Sequence, residues 1–383
     1  MTDVTLRARL VRPFQTALPS VLSVALALAV CFLAIVASQG SLWVAARAYA
    51  EMAWGGFGDL PKLFAGADAS ALTRPWGETA SKTALLTLTG LSVAVAFSVG
   101  LFNIGAQGQM MVGALSAAVL GGKLALPWPL HVAVCLAGAA LAGAAYAEIA
   151  AALKLERGVH EVISTIMLNW IAVSLVENWL VVGPLRAQAS GDNSISGTDE
   201  ILASAQLPRL LGETSRLHAG ILVAAALAVA VWYWLARTRY GFESRAVGLG
   251  PEAARAAGIP VAARVYQAMA LSGALAGVAG AVLVMGTEHK FPATLGAPYG
   301  FDGIAISLIG QNHPLGVLAS AALFGALRAG GTRMQLLGVH KSFPELIQGL
   351  ALLFVAARLV WETLLSRFRR EPAASATVEV PRA

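Results

Sequence analysis

The sequence predicts an all-α, polytopic membrane protein of about ten transmembrane helices with both termini cytoplasmic. Three observations predict it. Hydrophobic residues make up 57% of the chain and charged residues 13%, with a mean hydropathy of +0.69. So few charges cannot cover a soluble domain of this length, and lipid is the expected solvent. Apolar blocks close to the roughly 20 residues that cross a bilayer recur along the chain. Arginines sit beside those blocks, so the net charge of +6 reads as positive-inside loops, and no nucleic-acid partner is expected. Residues 1–383 are read as a single transmembrane domain. Cys31 and Cys135 lie inside apolar blocks, where a thiol packs as a small hydrophobe, and no disulfide is expected.

A cytoplasmic tail, 1–17, carries Arg7, Arg9 and Arg12 ahead of an apolar run over 18–37. Cleavage of a signal peptide near Ala37 is the other reading, but the run exceeds a usual signal core and further spans follow. The segment 40–82 holds Trp43, Trp54, Trp76, Pro61 and Pro75 and reads as external, with an interfacial helix keeping its tryptophans at headgroup level. Apolar blocks follow at 83–102, 104–121, 129–153 and 162–182. The turn-rich stretch 183–216, with Gly191, Asp192, Asn193, Ser194 and Gly197, is long enough to be external and partly mobile. A block at 218–236 leads into a cytoplasmic segment, 237–264. Then come 265–285, a broken pair at 301–311 and 314–330, a last block at 344–361, and a tail, 363–383, with Arg367, Arg369 and Arg370. Lys123, Lys290, Arg328, Arg333 and Lys341 fall on or near the outer side, against a bias that concerns an excess rather than an absolute count. The stretches 96–122 and 305–331 each set a short polar break between small-residue runs, as a parallel pseudo-repeat or as chance likeness of Ala/Gly-rich helices.

The centre of the cytoplasmic segment reads FESRAVGLGPEAARAAGIPVAAR over 242–264. Pro251 suits a first helical position, and Gly258 followed by Pro260 suits a stop. The implied helix, about two turns long, is far too short to span and bears Glu252 and Arg255 on an alanine body. It lies outside the membrane, either as an ordinary loop helix or as a small-residue knob for a partner's groove.

Within the apolar blocks the most informative stretch is 100–109, GLFNIGAQGQ. Asn103, Gln107 and Gln109 place three amides at or near membrane depth, where each unpaired amide costs several kcal/mol, so they must face protein or water. Gly100, Gly105 and Gly108 permit a sharp re-entry. Two readings stand: a polar solute pathway at a helix break, or a tight inter-helical turn whose amides satisfy exposed backbone. Other polar groups in the spans are Ser164, Thr165, Asn169, Asn178, Gln267, Asp302, Ser307, Gln311 and Asn312. Being mostly neutral donors and acceptors, they suit a neutral, hydroxyl-rich solute better than an ion. Phe102, Trp170, Trp179, Phe291, Tyr299 and Phe301 either stack on such a solute or anchor the spans at headgroup level.

Catalytic patterns are absent. Gly122–Lys123 is followed by Leu124, with Ala117 where a Walker loop needs its first glycine. Residues 248–253 mimic a dinucleotide fingerprint with no strand before them, and His160–Glu161 lacks the second histidine of a zincin. No catalytic residue, metal or cofactor is assigned.

Gly248, Pro251, Glu252, Ala253, Ala254, Arg255, Gly258 and Ile259 together resemble the coupling-helix segment of bacterial ABC importer permeases of the sugar, nucleoside and branched-chain amino-acid group. Gly250 stands where that family often has Asn, and both are acceptable N-caps. The run Asn103–Ile104–Gly105, then Gly108–Gln109, resembles the nucleoside-type branch, as does Met167–Leu168–Asn169 after 160–165; the likeness covers most of 85–330. It implies a permease subunit in the bacterial inner membrane that takes up nucleosides or simple sugars. ATP would be bound and hydrolysed by a separate ATPase subunit, so the chain itself is no enzyme. The other implied partners are an extracytoplasmic solute-binding lipoprotein and a second permease, a heterodimer as in the nucleoside branch or a homodimer as in some sugar branches. On this reading Gly248, Pro251, Glu252, Ala253, Arg255 and Gly258 meet the ATPase. Asn103, Gln107, Gln109, Asn169, Asp302, Gln311 and Asn312 line the pathway. The alternative, an ion-coupled secondary transporter, needs paired acids in its spans; Asp302, Glu148 and Glu177 are the candidates, and the sequence gives none an evident partner.

Overall fold

Hydrocarbon offers backbone amides no partners, so apolar blocks of this length fold as helices. They do so in the computed structural model of the chain, which describes residues 2–66, 68–187, 197–212, 215–295, 298–340 and 342–357, the first eighteen of these by backbone alone. The helices are α1 (Thr2–Gln39), α2 (Leu42–Phe57), α3 (Leu60–Phe64), α4 (Ser70–Ser98), α5 (Ala106–Lys123), α6 (Trp128–Arg157) and α7 (Glu161–Leu175). After them come α8 (Gly220–Arg237), α9 (Arg239–Leu249), α10 (Pro251–Ala256), α11 (Val261–Leu283), α12 (Tyr299–Ile309), α13 (Pro314–Met334) and α14 (Phe343–Ala356). No strand occurs among the described residues, only an isolated bridge between Arg209 and His218. The chain is all-α.

Among the described residues, seven helices are long and apolar enough to cross a membrane: α1 from Ser20, α4, α6, α7 with the π-helical turn that continues it to Leu180, α8, α11 and α13. The expectation of about ten counted three more apolar blocks. Of these α12 and α14 are apolar but short, and α5, at 18 residues, is diluted by Gln107, Gln109 and Lys123. The side chains of Arg7, Arg9 and Arg12, the turn at 191–194 and the tail 363–383 lie outside the described residues.

Helices α4 and α11 form the buried centre. Small residues let their neighbours approach closely, the usual device where lipid supplies no hydrophobic drive between helices. Gly273 and Gly277 of α11 meet Gly143 and Ala139 of α6, and Gly280 meets Met110 and Ala114 of α5. On the other side Gly90 of α4 touches Val317 and Ile306, and Gly303 of α12 touches Thr89. Gly55 and Gly56 bring α2 onto α13 at Gly330 and Ala326. Part of the segment 40–82 is therefore packed into the bundle, and its last residues, from Ser70, are the first turns of α4.

Two ends of the bundle follow from these contacts. The C-terminus of α4 meets α9 through Ser98 and Gly248, and Tyr266 near the start of α11 bonds Glu156 near the end of α6. At the opposite end, the described part of 183–216 is a packed cap. Ile201 N–H donates to His289 O at 2.8 Å, Leu207 N–H to Met285 O at 2.9 Å and Leu202 N–H to Gly121 O at 2.8 Å. Ile201, Ala205 and Leu207 are buried there. Turn residues in the sequence marked that stretch as loop, but not that its apolar residues would seat on the ends of α5 and α11.

Candidate functional site

The short polar segment folds as two helices rather than one. Thr238 caps α9, its Oγ1 accepting from Gly241 N–H at 3.1 Å. Helix α10 starts at Pro251 and ends in a Schellman turn: Ile259 N–H donates to Ala254 O and Gly258 N–H to Arg255 O, each at 3.0 Å, with Gly258 at φ +79°. Only Ala254 of α10 is buried; Pro251, Glu252, Ala253 and Arg255 face outward. Arg255 Nη1 donates to both oxygens of Glu252 at 2.8 Å. Leu249, beside the helix, is 92% exposed.

A buried charge cluster fixes this module to the spans. Glu243 of α9 accepts from Arg239 Nε at 2.6 Å and lies 3.3 Å from Arg264 Nε at the foot of α11. The Arg264 guanidinium also stacks 4.6 Å from the centre of the Tyr240 ring. The Glu243 carboxylate is buried and Arg264 nearly so, whereas the Arg239 side chain is largely exposed, and removing Arg264 would leave the buried carboxylate poorly compensated.

Gly248 lies against the entrance of the amide stretch. A methyl on Gly248 would sit 2.5 Å from Ser98 O and 3.1 Å from Gly100 N. Helix α4 ends there in a second Schellman turn, Leu101 N–H donating to Ala96 O and Gly100 N–H to Phe97 O, with Gly100 at φ +76°. The chain then runs through a non-helical break to α5, and the amides hold it. Asn103 Nδ2 donates to Gln109 Oε1 at 2.9 Å and to Ser272 Oγ at 2.8 Å, while Asn103 Oδ1 accepts from Gly105 N–H at 2.9 Å. Asn169 of α7 accepts from Gly108 N–H at 2.8 Å and donates to Ile104 O at 2.7 Å. Gln107 Oε1 accepts from Gly300 N–H at the start of α12 at 2.7 Å. All four amides are buried, and they spend their capacity on one another, on Ser272 and on backbone that the break leaves without helical partners. At 1.5 Å per residue, Ser272 stands about 16 Å along α11 from Val261, inside the candidate span Val261–Glu288.

The other candidates lie apart from this cluster. Asp302 pairs with Arg328 Nη1 at 2.6 Å and accepts from Gln348 Nε2 at 2.9 Å. No partner for Asp302 was evident from the sequence; the structure corrects this, because α12 and α13 fold back on each other and bring Arg328 alongside from 26 residues away. Glu177 accepts from Leu295 N–H at 2.7 Å. Gln311 and Asn312 form the turn between α12 and α13, both in the left-handed region at φ +57° and +55°, with Asn312 Oδ1 bonded to Ser307 Oγ at 2.8 Å. Among the described residues no three His, Cys, Asp or Glu side chains gather as a metal site.

The family model of the branched-chain amino acid transport system / permease component matches residues 77–356. That span holds the α9–α10 module, the amide cluster and the Asp302 pair. The chain belongs to this family of ABC transporter permeases. The permease is 36% identical over 302 residues to the guanosine ABC transporter permease protein NupP of Bacillus subtilis, covering 78% of this chain and 85% of that protein. It is 33% identical to the glucose ABC transporter permease protein TsgB13 of Haloferax volcanii, over 74% of this chain and 75% of that one. It is 32% identical to the nucleoside ABC transporter permease protein NupB of Lactococcus lactis, over 82% and 87%. No solved structure matches the permease.

Of the residues singled out in the sequence, the permease brings together Asn103, Gln107, Gln109 and Asn169, and separately Gly248 with Pro251, Glu252, Ala253, Arg255 and Gly258. Asp302 and the pair Gln311–Asn312 stand elsewhere. Sequence reasoning passed over Leu249, Glu243 and Ser272, and named Arg328 only as a charge near the outer side. A leucine between two glycines beside a capped helix was the available signal for Leu249; nothing local marks a serine inside an apolar block.

Proposed function

We propose that the permease is the membrane-spanning subunit of an ATP-driven importer of nucleosides, or of simple sugars, in the bacterial inner membrane. Helix α10 and Leu249 dock into a groove of a separate ATPase subunit, and both termini lie on that side. A second permease, most simply a non-identical one, completes the pathway, and an extracytoplasmic binding lipoprotein delivers solute to the opposite end. Helices α5, α12 and α14 complete the set of about ten membrane segments with partial or more polar crossings.

The observation that carries this reading is the backbone contact between Gly248 and the Ser98–Gly100 turn. An ATPase that pushes α10 moves α9, which the Glu243 cluster ties to Arg264 at the foot of α11, and α9 bears directly on the end of α4 where the amide-held break begins. The amide cluster then acts as a latch on the pathway: its bonds close the break in one state and become available to solute hydroxyls in another. Support for the solute class comes from relatives whose names give guanosine, nucleoside and glucose.

The test is copurification from membranes combined with uptake of radiolabelled guanosine and glucose. An ATPase, a second permease and a binding lipoprotein should come with the chain, and uptake should require ATP. Solute accumulation without nucleotide consumption, or labelling of Ala253→Cys from outside intact cells, ends the reading.

A further inference from the structure

At the end of the bundle opposite α10, a cavity of about 170 Å³ opens between α4, α12, α13 and α14. Its walls include Lys82, Tyr299, Arg328, Thr332, Gln335 and Glu345. It lies at that end because α13 runs antiparallel to α4: Gly90 meets Val317, whereas Gly325, one turn before Arg328, meets Thr83 nearer the start of α4.

The lining has the chemistry of a carbohydrate site. Arg328 is held in its fork by Asp302, its side chain only 10% exposed, and its Nε has no hydrogen-bond partner among the described residues. The guanidinium stands 5.7 Å from the centre of the Tyr299 ring, so a planar donor and an aromatic ring share one wall. Behind Asp302, Gln348 keeps its Oε1 unpartnered as well. Thr332, Gln335 and Glu345 are exposed at the rim, offering a hydroxyl, an amide and a carboxylate. Both lining cations have acidic neighbours, Arg328 with Asp302 at 2.6 Å and Lys82 with Glu78 at 3.9 Å, so neither is left free to select an anion. A neutral solute with several hydroxyl groups satisfies such a ring of fixed donors and acceptors, and the aromatic ring takes its apolar face.

Size narrows the ligand further. A cavity of about 150 Å³ accepts one six-membered ring, and this one is below the range of about 300–1,000 Å³ typical for whole drug-sized ligands. We infer that the cavity recognises a single sugar ring: the ribose end of a nucleoside, or a free simple sugar, entering from the end opposite α10. The inference rests on the importer reading above and deepens it, because the polyol ring is what the solutes named for its relatives share.

The test uses the full chain purified from membranes with its partner subunits but without extracytoplasmic proteins. Its thermal unfolding is followed in millimolar D-ribose, guanosine or free guanine, since a ligand that binds only the folded state raises the midpoint. Ribose and guanosine should raise it and guanine should not. Thr332→Val and Gln335→Leu, both at exposed rim positions, should each weaken the ribose and guanosine responses about tenfold in apparent affinity, as losing a hydrogen bond to a substrate hydroxyl does at the modest end of such effects. Should one variant fail to assemble, the other carries the result. A response to guanine equal to that of guanosine, no response to ribose or guanosine, or unchanged responses in the variants overturns the inference. Guanosine uptake in cells separates the two readings: uptake that needs ATP, with no ribose response of the purified complex, removes the sugar cavity alone, whereas no uptake of nucleoside or sugar removes the importer reading with it.

Discussion

Gly248 and Gly100 meet backbone to backbone, with a methyl on Gly100 placed 3.5 Å from the Gly248 Cα and one on Gly248 placed 2.5 Å from the neighbouring Ser98 O. Gly100 also needs its left-handed φ of +76°. Helix α9, which leads into α10, and the turn that opens the break therefore touch with no side chain between them. Gly248→Ala improves helix propensity in α9 by about 1 kcal/mol, so any loss of function must come from the contact. The expected outcome is ATP hydrolysis near the normal rate with uptake reduced at least about tenfold, and Gly248→Val more severe. Uptake equal to wild type in both variants would show that the contact transmits nothing.

The Glu252–Arg255 pair lies on the exposed face of α10. An exposed ion pair of this kind contributes about 0–1 kcal/mol. Glu252→Lys should thus leave thermal stability almost unchanged while abolishing ATP-coupled uptake through loss of the docked complex. Copurification of the ATPase is the direct readout, and a variant that still holds its ATPase and transports normally counts against docking through α10. Leu249→Ser should act in the same direction.

Asn103 satisfies Gly105 N–H, Gln109 and Ser272 at once. Asn103→Ala leaves Gly105 N–H and the Gln109 amide buried and unpaired, at about 1–3 kcal/mol for each orphan, while Ser272 keeps its bonds to Ser92. A lowered unfolding midpoint and reduced uptake are expected together. Gln107→Ala removes one bond, to Gly300 N–H, and should lower uptake with a smaller shift. Insertion and assembly should persist in Gln107→Ala, and uptake unchanged in both variants would place the pathway elsewhere.

Asp59 caps α3 and takes Arg333 Nη1 at 2.7 Å and Lys62 Nζ at 3.1 Å. Burial alone would raise its pKa, but the bonds from Arg333 and Lys62 outweigh it and hold the carboxyl below its usual value. A lowered folded-state pKa stabilises the fold above the unfolded value of about 3.9 and loses that contribution as pH falls through the folded one. The difference in unfolding midpoint between wild type and Asp59→Asn should therefore stay constant above about pH 5 and shrink in acid. A difference that grows in acid has the wrong sign for this network.

Much of this was legible in the sequence because it depends on local rules. Composition and block length alone mark a membrane protein, since lipid tolerates few charges. The boundaries of α10 follow from Pro251 and Gly258, whose backbone preferences act over one turn. The break at 100–109 announces itself by glycines and amides where a span should be apolar. The crossing count was less legible, because α5, α12 and α14 differ from full spans by a few polar or missing residues. The packing of the described part of the stretch before α8 was not legible, because turn residues hide apolar ones that find a seat only in the folded bundle.

What the sequence determined by itself, then, is the solvent of the protein, the short helix outside it and the presence of buried amides. Tertiary structure alone decided which groups those amides satisfy, that Asp302 faces Arg328, and that Gly248 lies on the turn at Gly100. The physical reason is range. Hydropathy, caps and glycine conformations are set within a few residues, whereas each of these pairings closes a long loop whose ends meet only when small residues let the helices pack at backbone distance.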